Sequence, residues 1–239
     1  MIVIVPTRGR PEAVTRLIEA WYATRATAHL RFIVNETDER LVDYLEILSD
    51  PKLPRAFFSW LRAPSDTMVS ALNWGAVRAT TRCNWDGIVG FMGDDHLPRT
   101  PNWDLLIEEA FRTTGPAVVY ANDLLQGENL PTQVFLPTEF VRRLGRIAPP
   151  TLKHLYVDNY WREVGVQSGC LRYMSHIVIE HMHPVAGKAE WDDNYRRVNA
   201  GELYGSDHEA FNAFVASGML EADAQLMKDL YVRWTRDGV

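Results

Sequence analysis

The chain opens with an uninterrupted apolar run, Ile2-Val3-Ile4-Val5, rich in β-branched residues and broken at Pro6. Such a run is the pattern of a strand covered on both faces in a parallel sheet. From Pro11 the apolar positions Val14, Leu17, Ile18 and Trp21 recur at helical spacing, with Pro11 suited to a first turn. Phe32-Ile33-Val34 predicts a second strand, ending at Asn35-Glu36-Thr37-Asp38, and Leu41 to Leu48 returns to a helical pattern. Met68 to Thr80 predicts a helix for which Ser65 or Asp66 offers an N-cap. Gly87-Ile88-Val89-Gly90-Phe91-Met92 predicts an apolar strand that stops abruptly at Gly93-Asp94-Asp95-His96. Trp103 to Phe111 predicts another helix and Ala117 to Tyr120 another strand.

The stretch from Leu124 to Pro150 is rich in Pro and Gly and mixes loop with a short helix near Glu139 to Leu144; segments of this kind often carry binding loops. Asp158 to Val164 has a helical pattern, and Ile177 to His183 predicts a late strand stopped by Pro184. The remainder is helix-rich, with Ser206-Asp207-His208-Glu209 placed as a capping box opening the Ala210 to Val215 run. Alternation of strands and helices predicts an α/β fold, a doubly wound and mostly parallel sheet over residues 1–184, with a helical C-terminal extension over 185–239 packed on the same domain.

With 239 residues and 46% hydrophobic content the chain can bury one sizeable core. A net charge of −6 argues against reliance on general attraction to nucleic-acid phosphates, though a local basic groove survives that average. Cys83 and Cys170 lie far apart without metal-type spacing, so neither a disulfide framework nor a thiolate zinc site is indicated, and a cytoplasmic location is expected. The opening run is too short for a signal peptide, and no stretch approaches the ~18 uncharged apolar residues of a transmembrane helix.

The acidic pair Asp94-Asp95 carries the sharpest chemistry. In open parallel sheets ligands collect beyond the carboxyl ends of the strands, and two adjacent carboxylates there repel unless a cation lies beside them. Hard carboxylate oxygens suit Mg²⁺ or Mn²⁺, which can neutralise a departing diphosphate. Gly-Asp-Asp is equally good turn chemistry. His181 and His183, two apart on a predicted strand, share a face and can add imidazole ligands to Asp95 or serve as core histidines. Asp158, beside Tyr156, Tyr160 and Trp161, is placed to take a proton from an acceptor hydroxyl, or to cap its helix. Thr7, Arg8 and Arg10 form a loop able to bind phosphate. Glu36 and Asp38 can accept hydrogen bonds from a nucleobase or ribose, or cap the following helix.

Together these residues resemble the GT-A-fold, family-2-type glycosyltransferases. Ile4-Val-Pro-Thr-Arg-Gly-Arg-Pro11 is similar to that family's first strand and nucleotide loop, Ala71-Leu72-Asn73-Trp74-Gly75-Ala76 to the helix before its metal motif, and Gly93-Asp94-Asp95-His96 to its D-x-D motif. Asp158 resembles the catalytic base, and His181 or His183 the late metal ligand. The resemblance implies a nucleoside-diphosphate sugar donor of UDP or GDP type, contacted by Thr7, Arg8, Arg10, Asp38 and Asn73, with Asp94 on the ribose and Asp95 on Mn²⁺ or Mg²⁺. It also implies transfer to a hydroxyl acceptor by a single displacement with inversion. Lys188, close after the histidines, is expected to meet the diphosphate. His96 stands where many members have a second metal-binding Asp, so its role departs from the pattern. The acceptor stays open among glycan, protein side chain, small molecule and modified nucleobase. A sugar-phosphate nucleotidyltransferase is the alternative enzyme, and a carbohydrate-binding protein, suggested by eight tryptophans, the alternative without catalysis.

Overall fold

A computed structural model describes residues 1–64, 67–82, 87–198 and 201–237. Its first half alternates β1 (Ile2–Thr7), α1 (Pro11–Ala23), β2 (His29–Asn35), α2 (Leu41–Leu48), β3 (Phe58–Ala63), α3 (Met68–Val77) and β4 (Ile88–Phe91). Then follow β5 (His96–Pro98), α4 (Trp103–Thr114), β6 (Val118–Asn122), β7 (Val134–Pro137), α5 (Thr138–Leu144), α6 (Val157–Ser168) and β8 (Leu171–His181). The tail is helical: α7 (Asp193–Val198), α8 (Gly201–Ala216) and α9 (Met219–Asp237).

Among the described residues the strands form one sheet in the order β3-β2-β1-β4-β7-β6-β8-β5. β3, β2, β1 and β4 run parallel, whereas β7 pairs antiparallel with β4 and β6, and β5 antiparallel with β8. The chain builds outward from β1 through β2 to β3, then returns to lay β4 on the other side of β1. That reversal opens a crevice beyond the carboxyl ends of β1 and β4. The apolar runs explain the arrangement: Ile2, Val3, Ile4 and Val5 are all buried, as are Val14, Leu17, Ile18 and Trp21 of α1. Gly75 lets α3 sit on the sheet, because a Cβ there would come within 2.8 Å of the Ile33 side chain.

Several expectations need correction. β3, β5 and β7 were not predicted, for they are an edge strand of mixed exposure, a three-residue strand and a strand ending in proline. α3 gives way at Arg78 to a π-helical turn through Arg82, and its N-cap is Thr67, whose hydroxyl accepts from Ser70 N at 3.1 Å. Ser65, Asp66 and Cys83 lie outside the described residues. β8 ends at His181, so His183 is not on the strand; it opens the short turn Pro184–Ala186, its Nδ1 accepting from Val185 N.

Ser206-Asp207-His208-Glu209 is no capping box, because α8 has already begun at Gly201. Asp207 instead reaches across to the turn before α6. Its buried carboxylate accepts the backbone N–H groups of Lys153, His154 and Leu155 at 3.0, 2.8 and 2.7 Å. Asp223 of α9 likewise accepts the Tyr160 hydroxyl at 2.8 Å and pairs with Arg146, tying the tail to α6. Asp207→Ala leaves three amides without an acceptor and is expected to cost roughly 3 kcal/mol. In a chain of this size that lowers the melting temperature by roughly 6–12 °C. An unchanged melting curve would mean that the turn holds without α8.

Candidate active site

The crevice is a cavity of about 360 Å³. The β1 loop contributes Thr7, Arg8 and Arg10; the turn after β4 contributes Asp94, Asp95 and His96; the start of α6 contributes Asp158, and the end of β8 and the turn after it contribute His181 and His183. The turn is closed by His96 N donating to Gly93 O at 3.2 Å. Turn chemistry and buried chemistry therefore coexist, since Asp94 and His96 are only 1% and 4% exposed. Gly93 leaves room for this packing: a Cβ there would displace Asp95 Oδ1 and come within 3.1 Å of His96 Nδ1.

Both oxygens of Asp94 are engaged, one by the Thr7 hydroxyl at 2.6 Å and the other by the Arg10 guanidinium. Arg10 also lies 3.5 Å from Asp95 and 4.7 Å over the ring of Tyr195. The cation that relieves repulsion between the two carboxylates in this structure is thus a guanidinium. Burial works against the Arg10 charge, but Asp94 and Asp95 outweigh it and hold its pKa above the ordinary value. Burial raises the Asp94 carboxyl above the usual carboxylate range against the pull of Arg10. Burial acts the same way on Asp95, yet His181 and His96 overcome it and hold that carboxyl well below the range.

Asp95, His96 and His181 converge because β5 and β8 pair antiparallel with His96 opposite His181. Their rings stack with centroids 4.1 Å apart. His96 Nδ1 lies 3.0 Å from Asp95 Oδ1, and His181 Nε2 lies 3.7 Å from Asp95 Oδ2. One ligand atom from each of the three lies within 4.8 Å of the others. A carboxylate with two imidazoles suits a borderline divalent cation such as Mn²⁺ better than Mg²⁺, which prefers oxygen alone. His181 Nδ1, buried and without a hydrogen-bond partner among the described residues, fits a ring whose orientation a bound cation would complete. His183 packs edge-on against His181 at 5.1 Å, and burial lowers its pKa, as it does that of His96.

Asp158 lies at the start of α6 and accepts from Asn159 N at 2.9 Å. Burial raises its pKa, which strengthens it as a base once ionised. Other expected residues stand back from the cavity. Asp38 accepts the Gly9 and Arg40 amides, each at 2.8 Å, and so shapes the β1 loop. Asn73 accepts the Ile147 and Ala148 amides at 2.8 and 3.0 Å. Lys188 sits on Glu180 at 2.9 Å.

Tyr195 and Asp123 were not anticipated. The Tyr195 hydroxyl donates to Asp95 Oδ2 at 2.7 Å from the helical tail, a contact with no local sequence signal. Asp123, 1% exposed, follows the end of β6, the same strand-end position that drew attention to Asp94 and Asp95.

No protein-family model matches the chain, and no curated protein matches it in sequence. Solved structures do resemble it in fold. The mannosyltransferase PcManGT from Pyrobaculum calidifontis, in complex with GDP-Man and Mn²⁺, superposes with a TM-score of 0.55 at 12% identity, over 98% of this chain and 82% of its own. A mycobacterial protein superposes at 0.51 and 12% identity, over 78% of this chain and 69% of its own. The fold is therefore that of the GT-A-type nucleotide-diphospho-sugar transferases, as the resemblance in sequence implied. Among the described residues no helix is long and apolar enough to cross a membrane.

Proposed function

We propose that the chain is a glycosyltransferase that moves a sugar from a nucleoside-diphosphate sugar to a hydroxyl-bearing acceptor. The observation that carries this reading is the meeting, in one cavity at the reversal of the sheet, of a carboxylate–imidazole triad, a basic loop and a separate carboxylate. The fold is one on which a nucleotide sugar and Mn²⁺ are bound in the Pyrobaculum calidifontis mannosyltransferase.

On this reading Thr7, Arg8 and Arg10 receive the donor, Asp38 shapes their loop through the Gly9 amide, and Asn73 acts through the Ile147–Ala148 segment it holds. Asp94, expected on the ribose, has both oxygens taken by Thr7 and Arg10, and we assign it instead to aiming the guanidinium at the phosphates. Asp95, His96 and His181 hold the divalent cation, with His183 packed behind His181. A bound cation supplies neutralisation of the negative charge that grows on the leaving nucleoside diphosphate. Asp158 takes the proton of the acceptor hydroxyl as that oxygen attacks the anomeric carbon. Inversion, which the sequence resemblance implies, completes the proposal. Lys188 reaches the diphosphate only by exchanging Glu180 for it, and we assign it the minor part. A buried free thiol at Cys170 suits a reducing cytoplasm.

Incubation with a panel of nucleoside-diphosphate sugars tests the proposal. At least one is expected to release nucleoside diphosphate with Mn²⁺, and faster than with Mg²⁺ because two of the three ligand atoms are nitrogen. Turnover indifferent to a chelator would contradict the cation assignment.

A further inference from the structure

Asp123 does not itself line the cavity, yet it holds residues that do and lies behind both imidazoles of the triad. Its Oδ1 accepts three backbone N–H groups, those of Leu125, Gln126 and Gly127, at 2.9, 2.7 and 2.9 Å. Its Oδ2 faces the site. There it accepts the Thr132 hydroxyl at 2.8 Å, and the same Thr132 oxygen lies 3.3 Å from His96 Nε2. Oδ2 also lies 3.9 Å from His181 Nδ1, the buried ring nitrogen without a hydrogen-bond partner among the described residues. The backbone repeats the connection, since His181 N donates to Asp123 O at 2.9 Å. A single residue thus holds the strand position of one imidazole through its backbone carbonyl, faces that ring with its buried carboxylate, and reaches the other imidazole through a hydroxyl.

We infer that Asp123 is the positioning residue of the cation centre: it sets the tautomer and ring orientation of His181 directly, and those of His96 through Thr132. A carboxylate facing Nδ1 favours the proton there and leaves Nε2, the nitrogen turned toward Asp95, free to bind a cation. His96 is oriented through the Thr132 hydrogen bond and His181 by the charge of the carboxylate 3.9 Å from its Nδ1; removal of groups that orient metal-binding histidines typically weakens metal affinity 10–100-fold. The inference rests on the reading of Asp95, His96 and His181 as cation ligands.

Asp123→Asn separates this role from a purely structural one. The amide oxygen can still accept the three backbone N–H groups, so the loop after β6 is kept. The amide nitrogen, however, now offers a donor toward Thr132 and His181, which favours the wrong tautomer. Mn²⁺ alone is titrated into wild type, Asp123→Asn and Thr132→Val, with affinity read by calorimetry and the cation's coordination by its electron paramagnetic resonance spectrum. The expected result is a loss of Mn²⁺ affinity of about 10–100-fold in Asp123→Asn and a smaller loss in Thr132→Val, with an altered spectrum in both. Thr132→Val keeps the side-chain shape and reports on the relay to His96 if the asparagine variant fails to fold. Wild-type affinity and spectrum in the variants would overturn the inference about Asp123 while leaving the cation site standing. Absence of Mn²⁺ binding by the wild type would overturn the cation reading itself.

Discussion

Replacing Asp95 by alanine is expected to reduce donor turnover by about 10³-fold or more, the scale of losing a preorganised stabiliser of transition-state charge. Asp95 is the shared member of the candidate cation site, contacted by His96, His181, Arg10 and Tyr195. Its removal takes away the oxygen ligand and leaves only two imidazoles. The fold should survive, because Asp94 still pairs with Arg10 and the Tyr195 hydroxyl keeps Met182 O at 3.2 Å. The check is steady-state turnover in saturating Mn²⁺ beside a melting curve without metal. Wild-type turnover in the variant would remove Asp95 from the chemistry.

Asp158→Asn is expected to lose transfer by about 10²–10⁴-fold, the usual contribution of a general base, while nucleotide affinity stays unchanged. The separation of effects follows from the assigned roles: Asp158 lines the cavity from the start of α6, whereas the donor is assigned to the β1 loop. The asparagine keeps an oxygen for the Asn159 amide, so the start of α6 is preserved. A pH profile gives a second reading of the same residue. A base works only when ionised, and burial raises the Asp158 pKa, so wild-type transfer should fall on acidification at a pH above that of an ordinary carboxylate. An acid limb at or below the ordinary carboxylate range, or unchanged transfer in the variant, would return Asp158 to helix capping.

Parallel strands were the legible part of the fold, because strands covered on both faces must be apolar throughout; β1, β2 and β4 announced themselves in this way. β3 lies at the sheet edge and carries Trp60 and Arg62 half-exposed or exposed, so its alternation has no clear apolar face. β5 is only three residues long, and its existence depends on pairing with distant β8. The site divides along the same line. Asp94, Asp95 and the Thr7–Arg10 loop could be placed because strand ends in such a sheet face a crevice. The stacking of His96 on His181 could not, since it is set by antiparallel register between remote segments. Tyr195 reaches Asp95 across a separation of 100 residues, and no local pattern encodes such a contact.

Linkage between nucleotide, cation and folding tests the central claim most directly. If Asp95, His96 and His181 hold a cation that meets a diphosphate beside Arg10, then UDP or GDP should stabilise the chain only together with that cation. Ligand at ~100 times its dissociation constant adds about 2.7 kcal/mol of stability. At roughly 2–4 °C per kcal/mol for a chain of this size, the melting temperature should rise by about 5–10 °C. The account predicts that rise with Mn²⁺ and one of the two nucleotides, a smaller one with Mg²⁺, and none with the nucleotide and a chelator. A melting curve unmoved by UDP and GDP at millimolar concentration with either cation, or moved equally with the chelator present, would contradict it.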